Sequence, residues 1–421
     1  MTQVSHKIFA VSLYLVVITI LLPRSASNFA IALLILSWLG SAGWQYNNTA
    51  NFLKRPTSMV SILLLLTYSI SFFWTEDLIE GIKNLEVLAP LLIFPVVMAM
   101  AKKVEISLEN ILKVFVYAVI SILLINFVIA IFRTLDYGFF FKDPQHTVIY
   151  NNFLYHGFAS GTGIHPSFLT LFACFSIMIL LNPESMQLGF SRNSKIMMVI
   201  ILAAGIILLQ AITVTFATIA ALSVIFLFKM KKPNIKYSIY LSLVLLLVIV
   251  FSYILFIKLD WTRNIVSYNL ESYTGWNSVN LRLALWEAAG KAISQNVPWG
   301  VGIGDAQHVL LEKFHEMNFH FAAINNYQPH NQFLYSWLMA GLPCVLATIL
   351  LFVTMVRSAI RKQNHLYLGL VIVFIIFCLT DIPLSRNKPL VFLIFFTYLF
   401  EFLDSKGKET GIRASNQKFA K

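Results

Sequence analysis

Seven side chains in this sequence have the type and placement for chemistry: Arg263, Arg282, His330, Asn331, Asp381, Arg386 and, less directly, His165. A guanidinium stays charged at physiological pH and can grip a diphosphate bidentately. An imidazole titrates near neutrality, which suits it to take a proton from a sugar hydroxyl. Arg282 opens a predicted amphipathic helix, Leu281 to Gln295, with Ser278 or Asn280 placed to cap it. A free helix N-terminus there would add to the attraction for an anion. His330 stands in Gln-Pro-His-Asn-Gln, and Pro329 biases its neighbour away from helical geometry. The next helix is therefore expected to begin at or beyond His330. Asp381 and Arg386 lie in Thr-Asp-Ile-Pro-Leu-Ser-Arg.

Other chemistries lack their residues. The sequence has no His-Glu-x-x-His, Cys-x-x-Cys, Gly-x-Ser-x-Gly or Walker loop. The carboxylates Asp260, Glu271, Glu287, Asp305, Glu312 and Glu316 are scattered, with no Asp-x-Asp pair, which disfavours an ion held by hard oxygen ligands. His308, His315 and His320 are not spaced as metal ligands on one helical face. No metal or other cofactor is expected. Each of the seven residues also has a plainer reading. A loop arginine commonly binds solvent or lipid headgroups, an interfacial histidine is commonly a polar anchor, and Asp381 with Arg386 could form a simple ion pair. By these residues alone, enzyme and transporter are equally open.

The elements that must hold them are membrane spans. Hydrophobic residues make up 58% of the 421 and charged residues only 12%, with a mean hydropathy of +0.76; a soluble domain carries about 25% charge. Twelve apolar runs of near-spanning length follow from the pattern, at about 8–23, 28–44, 58–74, 85–101, 110–132, 165–181, 195–210, 211–228, 236–257, 331–356, 365–380 and 388–403. The seventh and eighth form one long stretch, divided where Gln210 and the threonines at 213 and 215 predict a tight reversal. The N-terminal run is read as an uncleaved span, because a second apolar run follows it at once.

Charge orients the bundle. With both termini cytoplasmic, nineteen Lys and Arg fall on the inner side: Lys7, Lys54/Arg55, Lys102/Lys103, Arg192/Lys195, four between 229 and 236, Arg357/Arg361/Lys362 and five in the tail. The short outer loops hold six, namely Arg24, Lys83, Arg133, Lys142, Arg386 and Lys388. That asymmetry follows the positive-inside rule and accounts for the net charge of +12 without nucleic acid as a partner. Cys174, Cys344 and Cys378 fall inside apolar runs and read as small buried residues. The organisation expected is nine spans over 1–257, a large outer loop over 258–330, three spans over 331–403 and a polar tail over 404–421. A second outer loop, about 134–164, is aromatic at Tyr137, Phe139, Phe140 and Phe141. The large loop should hold two helices, Leu281–Gln295 and Asp305–Met317. Between them Pro298-Trp299-Gly300-Val301-Gly302-Ile303-Gly304 lets backbone approach something closely. The topology puts Arg263, Arg282, His330, Asp381 and Arg386 on one membrane face, and His165 at the outer start of the sixth span.

Taken together, these stretches resemble the O-antigen ligases (the WaaL family) and their wider ligase/polymerase superfamily. The resemblance rests on His330-Asn331, nine residues, then Gly341; on Asn-Leu-Arg282-Leu-Ala-Leu-Trp-Glu; on Arg263, nineteen positions earlier; on Pro298 to Asp305; and on Asp381 with Arg386. It is strongest over 258–345 and only topological before residue 200. It implies an all-α, twelve-span enzyme of the bacterial inner membrane with its site facing the periplasm. That enzyme would move a glycan from undecaprenyl diphosphate to lipid A-core, without metal or nucleotide and with inversion. Arg263 and Arg282 would hold the diphosphate and His330 would activate the acceptor hydroxyl. Two positions depart from the family pattern. Phe216 stands where the family often has an arginine, so another cation substitutes or the donor is handled differently. Cys344 stands where a small or hydroxylated residue is usual.

An O-antigen polymerase or a protein O-oligosaccharyltransferase would use the same donor. Polymerases tend to carry arginines in two large loops, and the smaller loop here has only Arg133 and Lys142 near it. A flippase or other transporter would need charge along the bilayer path. Apart from Lys113, which can snorkel, the spans hold almost none, and no internal repeat of the transporter kind is present.

Overall fold

Apolar runs long enough to cross a bilayer must satisfy their backbone internally, so they fold as helices. The computed structural model describes residues 2–41, 55–98, 106–136, 152–182, 188–229 and 269–403, and among them it is all-helical, with no strand. The elements are α1 (Thr2–Thr19), α2 (Arg24–Gly40), α3 (Pro56–Ser71), α4 (Leu78–Leu88), α5 (Pro90–Val97), α6 (Leu108–Asp136), α7 (Tyr155–Ala159) and α8 (Pro166–Leu181). They continue as α9 (Arg192–Leu209), α10 (Ile212–Lys229), α11 (Ser278–Gln295), α12 (Ala306–Glu316), α13 (His320–Ile324), α14 (Gln332–Lys362), α15 (His365–Cys378) and α16 (Asn387–Leu403). Four stretches, Pro56–Trp74, Leu108–Leu135, Arg192–Leu209 and Gln332–Lys362, are long and apolar enough to cross a membrane. Five shorter apolar helices accompany them. The ninth expected span, 236–257, lies outside the described residues, as do Tyr137 and Phe139–Phe141 of the smaller loop, Arg263, and the tail.

The division near residue 210 is present. Gln210 adopts a left-handed conformation (φ 50°) that closes α9, and α10 starts at Ile212. Met178 near the end of α8 and Ile225 near the end of α10 both abut Gly369 at the start of α15, so α10 runs back alongside α8. The fourth expected span is different. It is broken into α4 and α5 at Ala89-Pro90, because proline lacks the N–H that would continue the ladder. Asp77 caps α4, its carboxylate accepting from the Glu80 amide at 2.9 Å.

The last helix is the centre. Every residue of α16 from Pro389 to Leu403 is buried, the pattern of a helix surrounded by others. Phe392 and Phe396 form its aromatic heart, with Phe172 at 4.9 Å and Phe175 at 5.0 Å between ring centroids. Phe115 of α6 stands 5.1 Å from Phe396. Alongside, α3 packs on α14, where the Tyr68 hydroxyl bonds Ser336 at 2.7 Å.

The glycine-rich turn after α11 makes the close approach expected of it, and what it approaches is α14. That helix is interrupted at Ala340 and Gly341, the latter at φ 77°. The freed carbonyls take the turn's amides: Val301 N–H donates to Leu338 O at 2.8 Å and Gly302 N–H to Met339 O at 3.1 Å. In return the Leu342 amide donates to Pro298 O at 2.8 Å. The rest of the turn holds the loop between α3 and α4. Asp305 accepts from the amides of Glu76 and Asp77, each at 2.8 Å, and Ile303 O accepts from the Asn84 side chain at 2.9 Å. A Cβ on Gly341 would sit 2.1 Å from Pro298 O, whereas one on Gly290 in α11 would meet nothing within 4 Å. Gly341→Ala should therefore destabilise the protein by about 2–5 kcal/mol, combining left-handed strain with overpacking. Gly290→Ala should be neutral or stabilise by up to about 1 kcal/mol. Thermal unfolding of the purified variants decides it, and equal melting temperatures for the two would refute the clamp.

Candidate functional site

Three chain segments converge at one end of the bundle: the start of α11, the approach to α14, and the connection from α15 to α16. Asn277 begins α11. Its side chain accepts from the amides of Val279 and Asn280, both at 2.9 Å, while Asn280 accepts from the Asn277 amide at 2.9 Å. The expected cap at Ser278 or Asn280 is thus corrected to Asn277, with Asn280 completing a reciprocal capping box. One turn on, Arg282 reaches across. Its Nε donates to Thr380 O at 3.3 Å, and its Nη1 donates to Ser278 O at 2.8 Å and to the Ser278 hydroxyl. Burial lowers the Arg282 pKa, while Asp381 and then Tyr155 oppose the shift.

Before α14 the chain makes a left-handed step at His330 (φ 48°), a conformation uncommon outside glycine. The helix then begins at Gln332, as Pro329 predicted. Asn331 is its cap, accepting from the amides of Phe333 at 3.0 Å and Leu334 at 3.2 Å and donating to Leu379 O at 3.4 Å. This step turns the His330 ring toward the α15–α16 connection, where Nδ1 stands 3.6 Å from Asp381 Oδ1. His330 remains 30% exposed and Asp381 16%, so the imidazole can be reached while its carboxylate is sheltered. Burial pushes the Asp381 carboxyl up, but His330, the Ile382 amide and His165 together hold it below its ordinary value. The Ile382 amide donates to Asp381 Oδ1 at 2.8 Å.

Asp381 and Arg386 do not pair with each other, contrary to the simple ion-pair reading. A short 3-10 turn, Pro383–Ser385, separates them. Arg386, exposed, donates to the Gln328 side chain on the approach to α14. His165 stands before α8, its Nδ1 accepting from the Ser167 amide at 3.3 Å and its ring 5.1 Å from that of His156. It keeps much of its surface open, with His156, His330, Asp381 and Arg386 as its titratable and charged neighbours. Phe216 lies on α10 and is 38% exposed. Of the seven residues, six are described and cluster here; Arg263 lies outside the described residues.

Gln332 is a structural member of the site that the sequence alone did not distinguish. Fully buried, its Oε1 accepts from the Leu384 amide at 2.8 Å and its Nε2 donates to Ser336 and Ser385 at 3.0 Å each. It ties α14 to the turn that carries Asp381 and Arg386. The signal available was a third polar residue following Pro-His-Asn into an otherwise apolar helix. Among the described residues, no three His, Cys, Asp or Glu side chains come together as metal ligands would.

Residues 197–349 match a family model described as O-antigen ligase (Wzy_C). The matched stretch runs from within α9, through the loop helices, past His330 and Gly341 into α14. No curated protein matches the chain in sequence. Over this segment the chain is similar to the O-antigen ligases.

Proposed function

We propose that this protein is an O-antigen ligase that transfers a glycan from undecaprenyl diphosphate to lipid A-core, with inversion and without a metal ion. The observation that carries the reading is the His330–Asp381 pair, 3.6 Å apart, beside the guanidiniums of Arg282 and Arg386. Asp381 orients the imidazole through Nδ1 and leaves Nε2 for substrate, the logic of a base steadied by a carboxylate. In the step proposed, the acceptor hydroxyl oxygen attacks the anomeric carbon and its proton passes to His330 Nε2. The bond from that carbon to the diphosphate breaks, and the electron pair leaves with the undecaprenyl diphosphate. Arg282, Arg386 and Arg263 stabilise the charge developing there, which is worth most where water is excluded. His165 lines the same side, and Asn331 fixes the helix start that aims His330.

The architecture that goes with this reading has twelve spans with both termini cytoplasmic. Spans one to nine lie within 1–257, a periplasmic loop over 258–330, and the last three spans within 331–403. Residues 404–421 form a cytoplasmic tail, and the site opens to the periplasm of a Gram-negative inner membrane. Support comes from the charge asymmetry and from the coincidence of helix bounds with apolar runs. Because Cys174, Cys344 and Cys378 are all buried, single cysteines can report sidedness. Trp299→Cys should react with a membrane-impermeant maleimide in intact spheroplasts, and Arg192→Cys only after permeabilisation. The reverse pattern would overturn the orientation.

The function is tested with purified protein, undecaprenyl-diphosphate glycan, lipid A-core and a chelator. A shifted lipopolysaccharide band is expected. His330→Ala should slow its formation by roughly 10²–10⁴-fold. Arg282→Lys, which keeps charge but loses the planar fork, should lose at least about tenfold. Activity that vanishes with the chelator would sink the metal-free mechanism. Longer lipid-linked chains without lipid A product would make the enzyme a polymerase instead.

A further inference from the structure

At the end of the bundle opposite His330, a cavity of about 610 Å³ opens between the start of α3 and the end of α14, lined among others by Arg55, Thr57, Arg357, Ser358, Arg361 and Glu401. Glu401 is 2% exposed and, among the described residues, is the sole carboxylate in this lining. It is already committed, with Arg55 at 3.3 Å and Lys362 at 3.6 Å. Arg55 is further held over the Phe402 ring, 4.1 Å from its centroid. Arg357 and Arg361 are exposed, sit one turn apart, and make no ion pair among the described residues. Like charges at this spacing repel on a helix, so an anion between them would relieve a cost the fold otherwise carries. Ser358, on the same face, is 7% exposed with a hydroxyl that has no partner among the described residues. The N-terminus of α3, which has no side-chain cap, adds a partial positive charge. The chain after Leu403 is itself net basic, with five Lys and Arg against Asp404 and Glu409.

We infer that this cavity is a phosphate-binding site, separate from the glycan-transfer site and fitted to the headgroup of an anionic phospholipid or to a free phosphoryl group. Two unpaired guanidiniums at the rim, one fixed guanidinium within and a serine hydroxyl match phosphate oxygens in number and kind. Ile360 and Pro56 in the wall give a lipid's glycerol and upper chain an apolar rest. From Leu342, beyond the break in α14, to Arg357 the helix alone spans about 22 Å at the helical rise, so the two sites cannot share a ligand headgroup.

Native mass spectrometry of the full detergent-solubilised chain tests this with phosphatidylglycerol, phosphatidylethanolamine and inorganic phosphate as probes. Wild-type protein should retain phosphatidylglycerol in preference to the zwitterionic lipid. Arg357→Gln/Arg361→Gln should weaken that retention about tenfold or more, having lost two charge-assisted contacts. Both arginines are exposed, so the variant should fold, and an unchanged melting temperature verifies it. Arg192→Gln, an exposed cation outside the cavity, should have no effect. Displacement of the lipid by millimolar phosphate in wild type would identify a free phosphoryl compound as the ligand. Equal retention by wild type and double variant, equal retention of the two lipids, or an equal loss in Arg192→Gln would overturn the site.

Discussion

The backbone contact between Pro298–Gly302 and the interrupted turn of α14 is the constraint on which the candidate site depends. A helix broken at Ala340–Gly341 leaves carbonyls that cost free energy if buried unpaired, and the turn supplies amides to Leu338 and Met339. Only backbone can come this close, because a Cβ on Gly300 would lie 2.6 Å from Leu338 O. Pro343, just beyond the break, lacks the amide that a continuous helix would have used. The same turn grips the loop before α4 through Asp305. One short segment therefore joins α3, α4, α11 and α14, and it fixes the half of α14 whose first turn presents His330.

From that anchored half-helix the site is assembled by polar contacts between segments far apart in sequence. Asn331 and Gln332 fasten the start of α14 to Leu379, Leu384 and Ser385, and Arg282 fastens α11 to Thr380. The consequence is electrostatic. Asp381 stays ionised because His330, the Ile382 amide and His165 together outweigh its burial. A residue cluster with surplus positive charge and one sheltered carboxylate suits a substrate that brings its own negative charge, as a diphosphate does.

Much of this was legible in the chain. Helix bounds track the apolar runs because lipid and protein interior both demand internally bonded backbone, and even the reversal at Gln210 was marked by polar residues in an apolar stretch. The site was legible as a set of residue types on one face. Its wiring was not. Whether Asp381 meets Arg386 or His330 depends on a 3-10 turn and on a left-handed step at His330, neither of which residue spacing encodes. Asn277 rather than Ser278 caps α11 because the reciprocal bond from Asn280 fixes the register by one residue. The break at Pro90 was available in principle; hydropathy overrode it, since Ala89-Pro90 sits among leucines and counts as apolar. Arg263 and the ninth span lie outside the described residues.

The far end of the bundle obeys the same physics with a different outcome. Helix α16 is enclosed on all sides, so Glu401 is in effect a buried charge. A buried charge must be paired, since removing one partner leaves a penalty of several kcal/mol. Arg55, just before α3, and Lys362 from α14 meet that demand, and each also bonds a carbonyl at the end of α16. The pairing therefore welds the central helix to the two helices that flank it. Once Glu401 is neutralised, Arg357 and Arg361 are left as surplus charge facing the same cavity. At the His330 end, cations are tied to neutral carbonyls and amides and remain available to an anion. At the Glu401 end, availability arises because the one carboxylate is outnumbered.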